Sequence, residues 1–268
     1  MTASFSALPE RPSPIGKRVS LFVTCIADVV HPETAWSVVR LLEYLGVAVD
    51  FPASQTCCGQ PAYNTGYWRE ARQVARQFLE AFKNTEVIVA PSGSCVAMLR
   101  CEYPRLFKDD PALPLAEAIA AKTWEFTEYL VDGLGITDLK LAFPETRTLA
   151  VHDSCHGLRL LGLNRAIRTL LGNVENAVLC ELNEHDECCG FGGTFSVKMA
   201  DVSGAMLRRK LDNIHQCAAD TIVMGDLSCA MQINGGLSRL GSPKQARHIA
   251  DVLADGLVEG QVYENHSE

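Results

Sequence analysis

Short apolar runs alternate along the chain with longer stretches whose apolar positions recur every three or four residues. Val19-Ser-Leu-Phe-Val23 is one such run, and so little polar alternation suits a strand buried on both faces. From His31 to Leu45 the apolar residues Val38, Leu41, Leu42 and Leu45 share one helical face, and Gly46 is a natural C-cap. Val47-Ala-Val-Asp-Phe51 predicts a second strand, and Tyr67 to Phe82 predicts a long helix. Glu86-Val-Ile-Val-Ala90 predicts a third strand, followed by Pro91-Ser-Gly-Ser-Cys95 and a helical stretch to about Tyr103. Residues 114–135 read as one or two helices. A link is expected over 136–146, where Pro144 and short polar groups interrupt the pattern.

The same order then restarts. Thr148-Leu-Ala-Val-His152 is a strand, Arg159 to Leu171 a helix ended by Gly172, and Ala177 to Leu182 a strand. A helix is expected from about Phe195 to Gln216. The strand Asp220-Thr-Ile-Val-Met224 follows, then a further helix, and a last helix from about Pro243 to Leu257. Strands alternating with helices imply right-handed crossovers, hence an α/β fold of two repeated parallel-sheet modules. The expected boundaries are a disordered, Pro-broken segment 1–16, a first module 17–143, a second module 144–258 and a polar tail 259–268.

The cysteines sharpen this repeat. Cys57-Cys58-Gly59 recurs as Cys188-Cys189-Gly190. Cys25 precedes the first copy by 32 positions and Cys155 precedes the second by 33. Cys95 follows Cys58 by 37 positions, and Cys229 follows Cys189 by 40. Ser94-Cys95-Val-Ala-Met98 is echoed by Ser228-Cys229-Ala-Met231. In each module the cysteines fall just after strands one, two and three. Ligand sites of parallel sheets lie beyond the carboxyl ends of the strands, so four thiols distant in sequence are expected to meet at one edge.

Composition narrows the chemistry. The formal charge is −8, from 24 basic and 32 acidic residues, and no basic stripe is present. Nucleic acid is therefore not an expected partner, and an acidic surface suits solubility or docking on a basic protein. Eleven cysteines in 268 residues fall well short of a disulfide scaffold, and their number is odd. No secretory signal is legible and no apolar run is long enough to span a bilayer. A reducing cytoplasm is expected, where clustered cysteines signal metal or redox sites.

Adjacent cysteines crowd a single tetrahedral ion but suit neighbouring irons of one cluster. Structural zinc favours local Cys-x2-Cys knuckles, which are missing here. An iron–sulfur site is therefore favoured over zinc, with a thiol–disulfide enzyme as a third reading. The stretches Thr56-Cys-Cys-Gly-Gln-Pro61, Pro91-Ser-Gly-Ser-Cys95, His152-Asp-Ser-Cys155 and Glu187-Cys-Cys-Gly-Phe-Gly-Gly193 carry a more specific resemblance. Over nearly all of residues 17–258 the chain resembles the cysteine-rich (CCG) domain family. That family includes the cysteine-rich component of heterodisulfide reductase and the iron–sulfur components of glycolate and glycerol-3-phosphate oxidising systems.

A short chain with two such domains and no ferredoxin module resembles the lactate-utilization members. The resemblance implies that Cys25, Cys57, Cys58 and Cys95, and Cys155, Cys188, Cys189 and Cys229, each hold a cluster, expected as [4Fe-4S]. It implies an electron-transfer subunit that helps oxidise L-lactate to pyruvate, with partner subunits including a ferredoxin-like iron–sulfur protein. Heterodisulfide reductases end the motif in Cys-x2-Cys, giving five thiolates and a non-cubane cluster. Here the corresponding positions are Met98 and Gln232, which favours four-thiolate clusters and electron transfer over disulfide chemistry. A heterodisulfide reductase-type subunit and a zinc-stabilised scaffold remain the alternatives.

Other residues have plainer readings. Cys180 and Cys217 lack repeat partners and are expected in the core, while Cys101 is read either as core or as an extra ligand. His152 and His156 are expected to bond backbone groups or to donate to cluster sulfurs, and Asp153 to cap a helix. Gly192-Gly193 suits a tight turn or an amide cradle. No G-x-G-x-x-G follows a strand, so a dinucleotide cofactor is not expected.

Overall fold

The chain forms the expected α/β fold, with two four-stranded, all-parallel sheets. The computed structural model describes residues 11–258 and 263. The first sheet contains β1 (Val19–Leu21), β2 (Val49–Asp50), β3 (Val87–Ala90) and β4 (Thr123–Glu125), in the order β2-β1-β3-β4. The second contains β5 (Ala142–Val151), β6 (Glu175–Cys180), β7 (Thr221–Met224) and β8 (Gln245–His248), in the order β6-β5-β7-β8. The orders are identical once counted from the start of each module. Every pairing within the sheets is parallel, from Val19 opposite Val87 in the first to Leu149 opposite Thr221 in the second.

The helix Pro32–Tyr44 turns Val38, Leu41 and Leu42 fully inward. Each such buried side chain contributes roughly 1.5–3 kcal/mol relative to an exposed one. Gly46 ends that helix with φ +73°, and its N–H donates to the Glu43 carbonyl at 2.9 Å. One core runs through both modules, joining Val19, Leu21 and Leu41 to Leu149, Val223 and Leu253. Across it, Thr34 Oγ1 donates to Asp251 Oδ2 at 2.7 Å. Separate outer cores lie under the cysteine loops, one around Phe22, Phe78 and Phe82, the other around Leu211, Ile222 and Ile233.

Five expectations need correction. The link expected over 136–146 is cut short, because β5 already begins at Ala142. The stretch 114–135 is not purely helical, because β4 interrupts it. The last expected helix begins only at Ile249, because β8 precedes it. The helix expected over Arg159–Leu171 is two helices, Cys155–Leu161 and Ala166–Gly172, parted at Gly162 with φ +72°. The long helix from Phe195 breaks at Met199, leaving Phe195–Lys198 and Ala200–Gln216. Of the segment 1–16, residues 1–10 lie outside the described residues. Arg11, however, pairs with buried Glu128 at 2.6 Å and stacks over Trp124 at 3.4 Å. Of the tail 259–268 only Tyr263 is described, and its hydroxyl donates to the Asp138 carbonyl at 3.2 Å.

The end of β4 carries a buried carboxyl group. Glu125 Oε2 accepts from Thr127 N at 2.8 Å and Glu128 N at 3.1 Å, and Glu128 reciprocates to complete a capping box. Glu125 Oε1 is buried without a partner. Burial pushes this carboxyl up to about 7. A carboxyl raised in the folded state favours folding while protonated, and that contribution fades as pH climbs through 7. Glu125→Gln is therefore expected to match the parent in stability near pH 4.5 and to exceed it at pH 8, by up to about 3 kcal/mol. Denaturant titration at both pH values checks this. An equal difference at the two would contradict it.

Candidate metal centres

The sheets place all eight motif cysteines beyond strand ends. Cys25 and Cys155 open the helices Cys25–Val30 and Cys155–Leu161, directly after β1 and β5. Cys95 and Cys229 lie in the first turn of the helices that follow β3 and β7. Helix N-termini present free amides and a positive dipole end, which favours thiolate. The caps are Ser92, whose Oγ accepts from Cys95 N at 3.2 Å, and Asp226, whose Oδ1 accepts from Ser228 N at 3.3 Å. Ser92-x-x-Cys and Asp226-x-x-Cys carry the N-cap signature, which is how these two residues could have been found from sequence.

In the first module, Cys57 Sγ lies 3.8 Å from Cys25 Sγ, and Cys58 Sγ lies 3.4 Å from Cys95 Sγ. In the second, Cys189 and Cys229 approach to 3.2 Å. Two thiolates on one tetrahedral ion, with metal–sulfur bonds of about 2.3 Å, sit roughly 3.8 Å apart. The pairs are thus at or slightly inside the spacing a metal imposes. Gly59 N donates to Cys57 Sγ and Gly190 N to Cys188 Sγ, both at 3.4 Å. Both glycines are left-handed, with φ +82° and +86°.

The crowding sorts the thiols. Cys57 is held down to about 3, first by the hydrogen bond from Cys25 and then by that from Cys58. Cys188 is held down to about 2 by Cys155 and Cys189 in the same order, with the Gly190 amide adding to it. The donors Cys25 and Cys155 are pushed up in turn. Cys229 is lowered to about 6, chiefly by its hydrogen bond from Cys189. Each set therefore offers a ready thiolate, and the remaining thiols release protons when a soft cation enters. The four sulfurs, the amide donors and the helix ends fit a metal or iron–sulfur group.

Both sets open onto one cleft of about 210 Å³, which Cys25, Cys58 and Cys95 line from one side and Cys155, Cys188 and Cys229 from the other. Gly192 and Gly193, both left-handed, also line it, as do Gln60 and Asn64. The halves are stitched together beside the cleft. Ser92 and Asp226 form an antiparallel bridge, and Asp226 Oδ2 accepts from Ser94 N at 2.8 Å. Gly93 packs so closely that a Cβ there would lie 3.0 Å from Gly157 Cα.

The remaining cysteines stand apart. Cys217 is buried with its thiol on the Glu181 carbonyl at 3.3 Å, and Cys180 packs against the same core. Cys101 Sγ points to the Leu160 carbonyl at 3.9 Å and does not line the cleft. The positions matching the fifth thiol are taken up elsewhere. Met98 is fully buried, and Gln232 Nε2 donates to Ser203 Oγ at 3.2 Å. Asp153 is not a cap. It accepts from Arg168 at 2.9 Å and pairs with His185 Nδ1 at 2.7 Å. His185 gave no motif signal, because its role comes from the fold bringing its loop beside β5. Tyr103, similarly silent in sequence, donates to the Cys58 carbonyl at 3.0 Å.

Among the described residues no helix is long and apolar enough to cross a membrane. The family model for the cysteine-rich domain (CCG) matches residues 19–100 and 149–234, one match in each module. Lactate utilization protein A of an Exiguobacterium species is 50% identical over 242 residues, covering 89% of this chain and 98% of that protein. Lactate utilization protein A of Macrococcus caseolyticus is 48% identical over 237 residues, covering 88% and 96%. A hypothetical protein from Helicobacter pylori of known structure shares the fold, with TM-score 0.57 and 12% identity over 94% of this chain and 51% of that one. The duplicated cysteine sets, the two matched domains and these relatives place the chain in the cysteine-rich (CCG) domain family, among the lactate utilization A proteins.

Proposed function

We propose that this chain is an iron–sulfur electron-transfer subunit of a cytoplasmic complex that oxidises L-lactate to pyruvate. The observation that carries this reading is the pair of matched four-cysteine sets, three cysteines of each lining one cleft. Cys25, Cys57, Cys58 and Cys95 hold one centre in the module 17–143. Cys155, Cys188, Cys189 and Cys229 hold the other in the module 144–258. When bound, iron–sulfur centres supply one-electron redox chemistry, so two of them match the two electrons that leave lactate as it becomes pyruvate.

The chain's own residues prepare the sites. Helix N-termini and the Gly59 and Gly190 amides stabilise anionic sulfur, and the Ser92–Asp226 bridge keeps the two sets facing one another. Partner subunits, one of them a ferredoxin-like iron–sulfur protein, bring electrons to or from the cleft. A net charge of −8 favours docking on a basic face. The names of the relatives support lactate as the substrate of that complex.

The test is genetic. An Exiguobacterium strain lacking its own lactate utilization protein A is expected to regain growth on L-lactate when it expresses this chain. Absence of growth, with the chain present in cells and the native gene restoring growth, would overturn the assignment.

A further inference from the structure

The two modules are not equivalent where their first strands end. Three residues before the first cysteine of each set, the first module carries Phe22 and the second carries His152. Phe22 is buried edge-on against Phe78 at 4.8 Å and Phe82 at 5.9 Å. His152 is also completely buried. Its Nδ1 lies 3.1 Å from the His185 carbonyl oxygen. A carbonyl only accepts, so Nδ1 carries the hydrogen, and the tautomer with a single hydrogen there presents its lone pair at Nε2.

That orientation is imposed. Asp153 N also donates to the His185 carbonyl, at 3.0 Å, and the Asp153 carboxylate grips the His185 ring at 2.7 Å. Nε2 itself is buried with no hydrogen-bond partner. A ring nitrogen of His152 lies within 4.8 Å of the sulfurs of both Cys189 and Cys229, and Nδ1 is already engaged by the His185 carbonyl, which leaves Nε2 as the free donor. A buried acceptor left unpaired loses its hydration with nothing to replace it. An imidazole whose other nitrogen is anchored to a backbone carbonyl, with its free nitrogen facing thiols, has the arrangement of a metal-binding histidine.

We propose that His152 is a fifth protein ligand of the second-module centre, donating through Nε2, so that the two centres of the chain differ in their ligand sets. The proposal rests on the iron–sulfur reading above. Phe22 has no donor atom, so the first module is left with cysteine alone.

The test uses full-length protein purified anaerobically, with its histidines labelled with nitrogen-15, then reduced and examined by pulsed EPR alongside iron and sulfide analysis. One of two cluster signals is expected to show a strong nitrogen coupling that changes with the isotope. His152→Phe, which installs the residue of the first module, is expected to abolish the coupling. His156→Ala is expected to keep it, although His156 Nδ1 lies 3.6 Å from Cys155 Sγ. Where His152→Phe fails to load its second centre, the labelled wild-type spectrum decides alone. Iron and sulfide without a strong nitrogen coupling, or a coupling that survives His152→Phe, would overturn the ligand and leave the iron–sulfur reading standing. Protein without iron would overturn both.

Discussion

Cys189→Ser is expected to empty the second module of iron and leave the first loaded, halving the iron bound per chain. Cys189 is 2% exposed and its sulfur sits between those of Cys188 and Cys229. Serine offers a harder, less acidic oxygen that competes poorly for a soft cation. The same exchange at Cys58, also 2% exposed and paired with Cys95, is expected to empty the first module instead. Cys217→Ser serves as the contrast, since its thiol bonds only the Glu181 carbonyl and its loss should leave iron content unchanged. Iron per chain, measured after anaerobic purification of the three variants, checks the set. Full iron in Cys189→Ser, or equal loss from Cys217→Ser, would contradict the ligand assignment.

Gly190→Ala is expected to be the most damaging exchange outside the cysteines. An L-residue at φ +86° costs about 1–2 kcal/mol in backbone strain alone. Its Cβ would also lie 2.6 Å from the Ser203 carbonyl oxygen. That carbonyl belongs to the helix Ala200–Gln216, and Ser203 is held in place because its hydroxyl donates to the Gly190 carbonyl at 2.8 Å. The helix must shift or the Cys188-Cys189 turn must open, and the amide that donates to Cys188 moves with it. A destabilisation of roughly 3 kcal/mol with loss of the second centre is expected. Gly59→Ala meets the Ala71 carbonyl at a milder 3.3 Å, so about half that effect is expected, confined to the first centre. Denaturant midpoints and iron content of the two variants test the ranking. Equal or reversed effects would contradict it.

The contrast between these two glycines also separates what the chain displays openly from what only the fold reveals. Both tripeptides are visible because the chain repeats them, and the first three strands of each module are visible because each is a short apolar run. The fourth strands are not. Thr123–Glu125 and Gln245–His248 are three and four residues long and carry buried polar groups, Thr123, Glu125 and His248. A strand that short with polar residues inward gives no periodic signal, so the helical pattern around it prevails. The break at Gly162 is likewise hidden, since the apolar spacing continues across it.

At the site, the eight cysteines can be nominated from spacing, but the convergence of the two sets on one cleft, which six of them line, cannot. That depends on Ser92 and Asp226, which are 134 positions apart and pair only because the two modules face each other. The direction of the His152 ring is a tertiary property of the same kind, because it depends on a carbonyl in the loop before the second tripeptide.

The most direct test of the central claim is to count iron, acid-labile sulfide and zinc per chain in anaerobically purified protein. Two iron–sulfur centres on these cysteines should give iron and sulfide in equal amounts, roughly four of each per module, with negligible zinc. Stoichiometric zinc with no labile sulfide would contradict the account and make the eight cysteines a structural scaffold.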